Sequence, residues 1–234
     1  MKIISETKNK WYIISAVLFL VFCVSGILGI TLQVFASATT SLTQTINSGT
    51  LSVDIVDASF VTVASPTVAL GSASFSFSCQ TTTGTFGTAS QKIYVSNPDA
   101  ADGGWSVSLA ASDPTNVWDS AGTDFDFNDP TTSGCADGAD ADSVGGQLTV
   151  DPSVGTLAVG ECASCVVTNV SLGASASFSE GAVNSITILS GTAASNDIGD
   201  WTAIGVSLSQ TIPAEQPAAS DYDINLVLSI IASS

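Results

Sequence analysis

The amino-acid sequence predicts an all-β protein, an antiparallel β-sandwich of Greek-key, Ig-like or jelly-roll type preceded by one hydrophobic N-terminal helix. Three observations carry that prediction. Apolar residues recur at every second position in short runs, which is the period of a strand with one buried face. Gly, Asn, Asp and Pro separate the runs at short intervals, as the turns of an antiparallel sandwich require. The alanine-rich stretches lack the Lys, Glu and Leu that sustain exposed helices.

The helix comes first. Lys2, Lys8 and Lys10 precede an apolar stretch from Trp11 to about Val34, and no charge follows until Asp54. A positive start, an uncharged apolar core and the small-residue site Ala36-Ser37-Ala38 make the layout of an export signal, with the lysines holding the N-terminus in the cytoplasm. The core is longer than the roughly 7 to 15 residues of an ordinary signal and approaches the about 20 that span a bilayer. Residues 1–38 are therefore a cleaved signal, cut after Ala38, or a retained anchor, with cleavage the favoured reading. Contact with a membrane is expected through this segment alone, and the folded part is expected outside the cell, at its surface or in its wall.

Residues 39–234 read as one domain of strands. In order, the alternating runs are "TLSVDIVDA", with Leu51, Val53 and Ile55 on one face, and "SASFSFSC", with Phe75 and Phe77 on one face. Then come "QKIYVSN", "GWSVSLAAS", "QLTVDP", "NSITILS", "AIGVSLSQTI" and "DYDINLVLSII". Residues 113–146 break this rhythm: they hold eight aspartates and few aliphatics, so they are expected to loop away from the sandwich.

Composition removes whole classes of function. Without residues 1–38 the chain has one lysine against twenty acids, a surface that repels nucleic acid and anionic lipid. The chain has no histidine and no arginine, which excludes Ser-His-Asp and Cys-His catalysis, His-ligated metals and the usual recognition of phosphoryl groups. No pair of carboxylates stands in a recognisable catalytic setting, and the protein is read as a non-enzyme.

Cys23 lies in the apolar segment, whereas Cys79, Cys135, Cys162 and Cys165 lie in the exported part. Four such cysteines read as two disulfides or as a four-thiolate zinc site. Disulfides are favoured, because Cys79 and Cys135 do not form a second knuckle beside Cys162 and Cys165; the expected pairing takes Cys79 and Cys135 each to that pair. No cofactor is required. Asp124, Asp126, Asn128 and Asp129 share the opening spacing of a calcium loop but lack its glycine and its final glutamate. Calcium is the ion this oxygen-rich set suits, and a solvated acidic loop is the plainer alternative.

Lys92 reads as a solvated outer-face residue, against the alternative of an isopeptide cross-link to an asparagine. Asn169-Val170-Ser171 is a glycosylation triplet of the kind that also arises by chance. Trp105 and Trp201 read as core anchors, with a ligand platform as the alternative.

"GGWSVSLAAS" and "TIPAEQPAASDYDINLVLSI" together resemble the two signatures of the WxL-domain family of bacterial cell-surface proteins. The first aligns Trp105, Val107 and Leu109; the second aligns Tyr222, Leu226 and Ile230, with Leu228 where that family has tryptophan. The resemblance implies export and non-covalent association with the cell wall polymer. "QTINSGTLSVDIVDA" is similar to the start of the TasA/camelysin family, which implies an exported sandwich whose N-terminal strand completes a neighbour's sheet in a fibre. The polar, uncharged segment bearing Thr39, Leu42, Thr45 and Ser48 is the expected assembly strand. Two functions are thus expected to compete: self-association into an envelope layer or fibre, and binding of wall glycan or a host surface by a monomer.

Overall fold

The computed structural model describes residues 10–21, 43–47, 49–98, 103–138 and 142–233. The chain divides into two compact units, Met1–Ile46 and Asn47–Ser234. In the first, residues 10–21 form a helix (α1), with Trp11, Leu18 and Phe19 exposed. Among the described residues, no helix is long and apolar enough to cross a membrane. The expected cleavage residues Ala36 and Ala38, and Thr39, Leu42 and Ser48 of the expected assembly strand, lie outside the described residues.

The second unit is built of strands: β1 (Ser52–Val56), β2 (Gln80–Phe86), β3 (Lys92–Asn97), β4 (Gly104–Ala111), β5 (Gln147–Asp151) and β6 (Thr156–Val159), then β7 (Val170–Leu172), β8 (Ala176–Ser177), β9 (Ser185–Gly191), β10 (Gly199–Ile204), β11 (Val206–Ile212) and β12 (Leu226–Ser233). They form three antiparallel sheets, ordered β1-β3-β10-β6 (sheet I), β2-β11-β5-β8 (sheet II) and β12-β4-β9-β7 (sheet III).

Sheets I and II meet at a corner. The chain runs β2 to β3, β5 to β6 and β10 to β11 each cross from one sheet to the other while keeping the same neighbours. Gly205 separates β10 from β11 at φ +80° and donates its amide to the carbonyl of Gly87, also at φ +80°, over 2.8 Å. Glycine reaches that left-handed region without the clash a Cβ brings. At Gly87 a Cβ would also stand 3.0 Å from the Ala203 carbonyl and the Ile204 Cα.

The inward residues of all three sheets make one core. Val107 and Leu109 of β4 and Ile186, Ile188 and Leu189 of β9 are buried with Ile93 and Val95 of β3 and Val150 and Leu208 of sheet II. Trp105 from sheet III and Trp201 from sheet I meet there with ring centroids 5.3 Å apart. The result is a sandwich-like, mostly β architecture, as alternation in β3, β4, β5, β9 and β11 predicts.

Three expectations are corrected. "SASFSFSC" is not a strand: Phe75 and Phe77 do share a side, 5.2 Å apart edge to face, but both are exposed. Its backbone bonds reach side chains and one isolated amide, as in Ser78 N to Ser76 Oγ and Glu215 N to the Ser76 carbonyl, so no ladder forms. The acidic stretch does not leave the sandwich, because Phe125 and Phe127 are buried and Phe127 packs edge to face on Phe178 at 5.1 Å. Leu148 N donates to the Phe127 carbonyl, and Asn128 bridges Gln147 at the start of β5.

The cysteines pair as Cys79–Cys135 and Cys162–Cys165, with Cα atoms 5.5 and 5.4 Å apart. The expected crossed pairing fails for a topological reason. Cys79 precedes β2, and the Cys135 loop precedes β5; the first residues of β2 and β5 both pair with the Thr211–Ile212 end of β11. Cys162 follows β6, which pairs with β10 beyond the corner. Two disulfides suit an oxidising environment.

Candidate functional site

The longest edge strand is β12. Its eight residues pair with β4 from Leu226↔Ala111 to Ser233↔Gly104, and among the described residues no strand pairs with its other side. Leu226, Leu228 and Ile230 turn toward the core, while Val227 and Ile231 are 45% and 66% exposed on the opposite face. Edge strands usually carry lysine, proline, a bulge or inward charges that block a further strand. The β12 sequence "LVLSIIAS" holds no charge and no proline. The other outer edges are short or partly covered: Val63 N donates to the Ile55 carbonyl beside β1, and Gly71 N to the Thr83 carbonyl beside β2.

Beside the first residues of β12 and the segment that leads into it lies an apolar groove of about 510 Å³. Its walls include Leu226 and Leu228 of β12, Ile55 of β1, Phe86 of β2 and Leu70, with Leu109 in contact from β4. One end is polar. Trp118 stacks on Phe125 at 5.7 Å and donates its indole N–H to Gln210 Oε1 at 2.9 Å. Tyr222 donates its hydroxyl to the Pro217 carbonyl and accepts from Gln216 Nε2, each at 2.8 Å.

That end is also acidic. Asp119 and Asp223 exchange backbone hydrogen bonds of 3.0 and 3.1 Å, Ser120 Oγ donates to Asp221 Oδ1 at 2.6 Å, and Ser120 N to Asp124 Oδ1 at 3.2 Å. The Asp119 carboxyl is held above its ordinary range, first by the charge of Asp124, then by partial desolvation and by Asp223 and Asp221. With no cation in this set, an anionic visitor is repelled.

The residues singled out from sequence fall elsewhere. Trp105 and Trp201 are 1% and 0% exposed, so neither offers a ligand platform; each packs the core. The calcium-like set does not converge. Asp126 Oδ1 accepts from Phe127 N, Asn128 Nδ2 donates to the Pro114 carbonyl, and Asp129 accepts from Thr131 N and Gly138 N at 2.7 Å each. Each of these side chains is taken up by a different backbone group and holds its own stretch of loop. Among the described residues, the Cys, Asp and Glu side chains close enough in threes to share an ion are Cys162, Cys165 and Asp200.

Lys92 Nζ lies 4.3 Å from the centroid of the Phe60 ring and 3.5 Å from the Ala58 carbonyl, an arrangement for a cation on an aromatic face and not for an isopeptide. Asn169 Nδ2 donates to the Ala194 carbonyl at 2.7 Å. Thr45 is exposed, as is Ile46 beside it at 87%, and residues 43–47 belong to no strand or helix.

The sequence alone does not disclose the open edge of β12. Alternation marks the strand, but only topology shows that its second side is open. No family model matches the chain, and neither a curated protein nor a solved structure gives a match.

Proposed function

We propose that the protein is an exported structural subunit that assembles into a layer or fibre by edge-strand pairing, with the N-terminal segment of one copy adding to β12 of the next. The open, uncharged, apolar β12 edge beside a groove carries this reading. Main-chain hydrogen bonds to the free edge would supply affinity, and the groove would take alternate side chains.

The segment from Thr39 to Ser48 suits the role on three counts. Ten extended residues reach about 33 Å, enough to follow the eight residues of β12. Leu42 and Ile46 fall on one side of a strand, and Ile46 is exposed in its own chain. The segment is uncharged, so it can approach the acidic end of the groove, which the Asp-rich remainder of the surface cannot.

The test is electron microscopy of oxidised residues 39–234 at rising concentration beside a variant that starts at Gly49. Filaments or sheets given by the first and lost in the second are expected. Monomers in both would replace this reading with that of a wall- or surface-binding module.

A further inference from the structure

A second cluster lies at the far end of sheet I, away from the groove. Cys162-Ala163-Ser164-Cys165 forms a tight turn just after β6, closed by its own disulfide. Facing it is Asp200 of β10, 6% exposed. The Asp200 carboxylate holds the turn: Oδ2 accepts from Glu161 N at 2.6 Å and from the Tyr94 hydroxyl at 2.9 Å, and Oδ1 accepts from Cys162 N at 2.8 Å. Gly160 leaves room for the carboxylate, since a Cβ there would overlap Asp200 Oδ2.

We infer that this turn is a redox-gated metal site: once the Cys162–Cys165 disulfide is reduced, the two thiolates and Asp200 Oδ1 bind a thiophilic divalent cation such as zinc. Both sulfurs and a carboxylate oxygen already lie within 4.8 Å of one another. Two cysteines spaced by two residues are a zinc knuckle, and a carboxylate with water completes a four-coordinate shell. Oδ1 takes one hydrogen bond and keeps a lone pair for the ion, while Oδ2 stays fixed by its two donors. A ligand already oriented by second partners needs little reorganisation on binding.

The chemistry balances with an external dithiol as reductant. One of its thiolates attacks a sulfur of the disulfide, its second thiol resolves the mixed disulfide, and the dithiol leaves oxidised. Cys162 and Cys165 gain two electrons and two protons, and the cation then displaces both protons. Disulfide and metal become alternative clips for one turn. The mature chain's strong acidity raises the local concentration of cations around it.

The experiment titrates cadmium into residues 39–234, reduced by a phosphine and desalted without oxygen, and follows thiolate-to-metal charge-transfer absorption. One ion per reduced chain is expected, none in oxidised protein and none in reduced Cys162→Ser, which retains Cys79 and Cys135. Asp200→Asn should weaken binding by roughly tenfold or more. X-ray absorption of the wild-type complex should find two sulfurs with oxygen neighbours, a readout that does not depend on any variant folding. No binding by reduced protein, equal binding by Cys162→Ser, unchanged affinity in Asp200→Asn, or a shell of four sulfurs would overturn the inference.

Discussion

Trp201 donates its indole N–H to the Val166 carbonyl at 3.0 Å, whereas Trp105, whose ring lies 5.3 Å away in the facing sheet, keeps its buried Nε1 without a hydrogen-bond partner among the described residues. The two side chains fill one core and differ in polar satisfaction. Phenylalanine at either position opens a cavity of similar size, but only at 201 does it remove a hydrogen bond. At 105 it removes a buried donor that was already unmet. Trp201→Phe is expected to destabilise the fold by about 1–2 kcal/mol more than Trp105→Phe, read from urea unfolding midpoints. Equal costs would mean that Trp105 Nε1 finds a partner in solution.

The glycine corner makes a graded prediction. Alanine at Gly205 meets nothing nearer than 3.8 Å, so only its φ of +80° opposes it, at about 1–2 kcal/mol. Alanine at Gly87 has the same φ and also presses on the Ala203 carbonyl and the Ile204 Cα at 3.0 Å. Gly87→Ala should therefore be the worse substitution. Thermal unfolding of the two variants side by side checks the order.

The disulfides should differ in the same manner. Cys79–Cys135 spans 56 residues and Cys162–Cys165 spans three; in the chain-entropy account the longer loop contributes about 4 kcal/mol and the shorter about 2. Paired Cys→Ser variants, measured by guanidinium unfolding, should show the Cys79–Cys135 pair costing about twice as much.

Asp119 couples the acidic end of the groove to pH. Its proton affinity is raised in the fold, so between the ordinary aspartate value of 3.8 and the raised one the folded chain binds more protons than the unfolded chain. Stability from this group is complete below that window and is lost as pH rises through it. Asp119→Asn lacks the ionised carboxylate that Asp124, Asp223 and Asp221 repel. It should melt higher than wild type at neutral pH, and the gain should disappear in acid. A gain that persists in acid would point to packing instead.

Legibility in the sequence followed locality. In β3, β4, β9 and β11, apolar residues alternate because one face is buried in a common core, and that period is visible without knowing the partner. β2, "QTTTGTF", hides itself: its inward positions are Thr82, Gly84 and Phe86, and it is held by backbone pairing to β11 instead of by apolar side chains. "SASFSFSC" shows the reverse, a strand-like pattern with no neighbour to supply a ladder. "DFDFND" shows metal-like spacing, yet the loop folds onto β5 and turns each polar side chain to backbone groups close by. The cysteine pairing depends on which strand ends meet at the two sides of the corner, and no local pattern holds that information.

The edge of β12 supplies the last prediction. Val227 and Ile231 are exposed and touch little of the core, so lysine at either position should shift monomer stability by no more than about 0.5 kcal/mol. On an assembled sheet the same positions flank an added strand, where a lysine acts as the charge that natural edges use to refuse a partner. Val227→Lys and Ile231→Lys together should leave circular dichroism and melting temperature unchanged while abolishing higher-order assembly in sedimentation and microscopy. Assembly that survives both lysines yet still requires residues before Gly49 would move the joint from β12 to another edge. Assembly that fails together with the monomer fold would show that β12 serves its own sandwich more than a neighbour's.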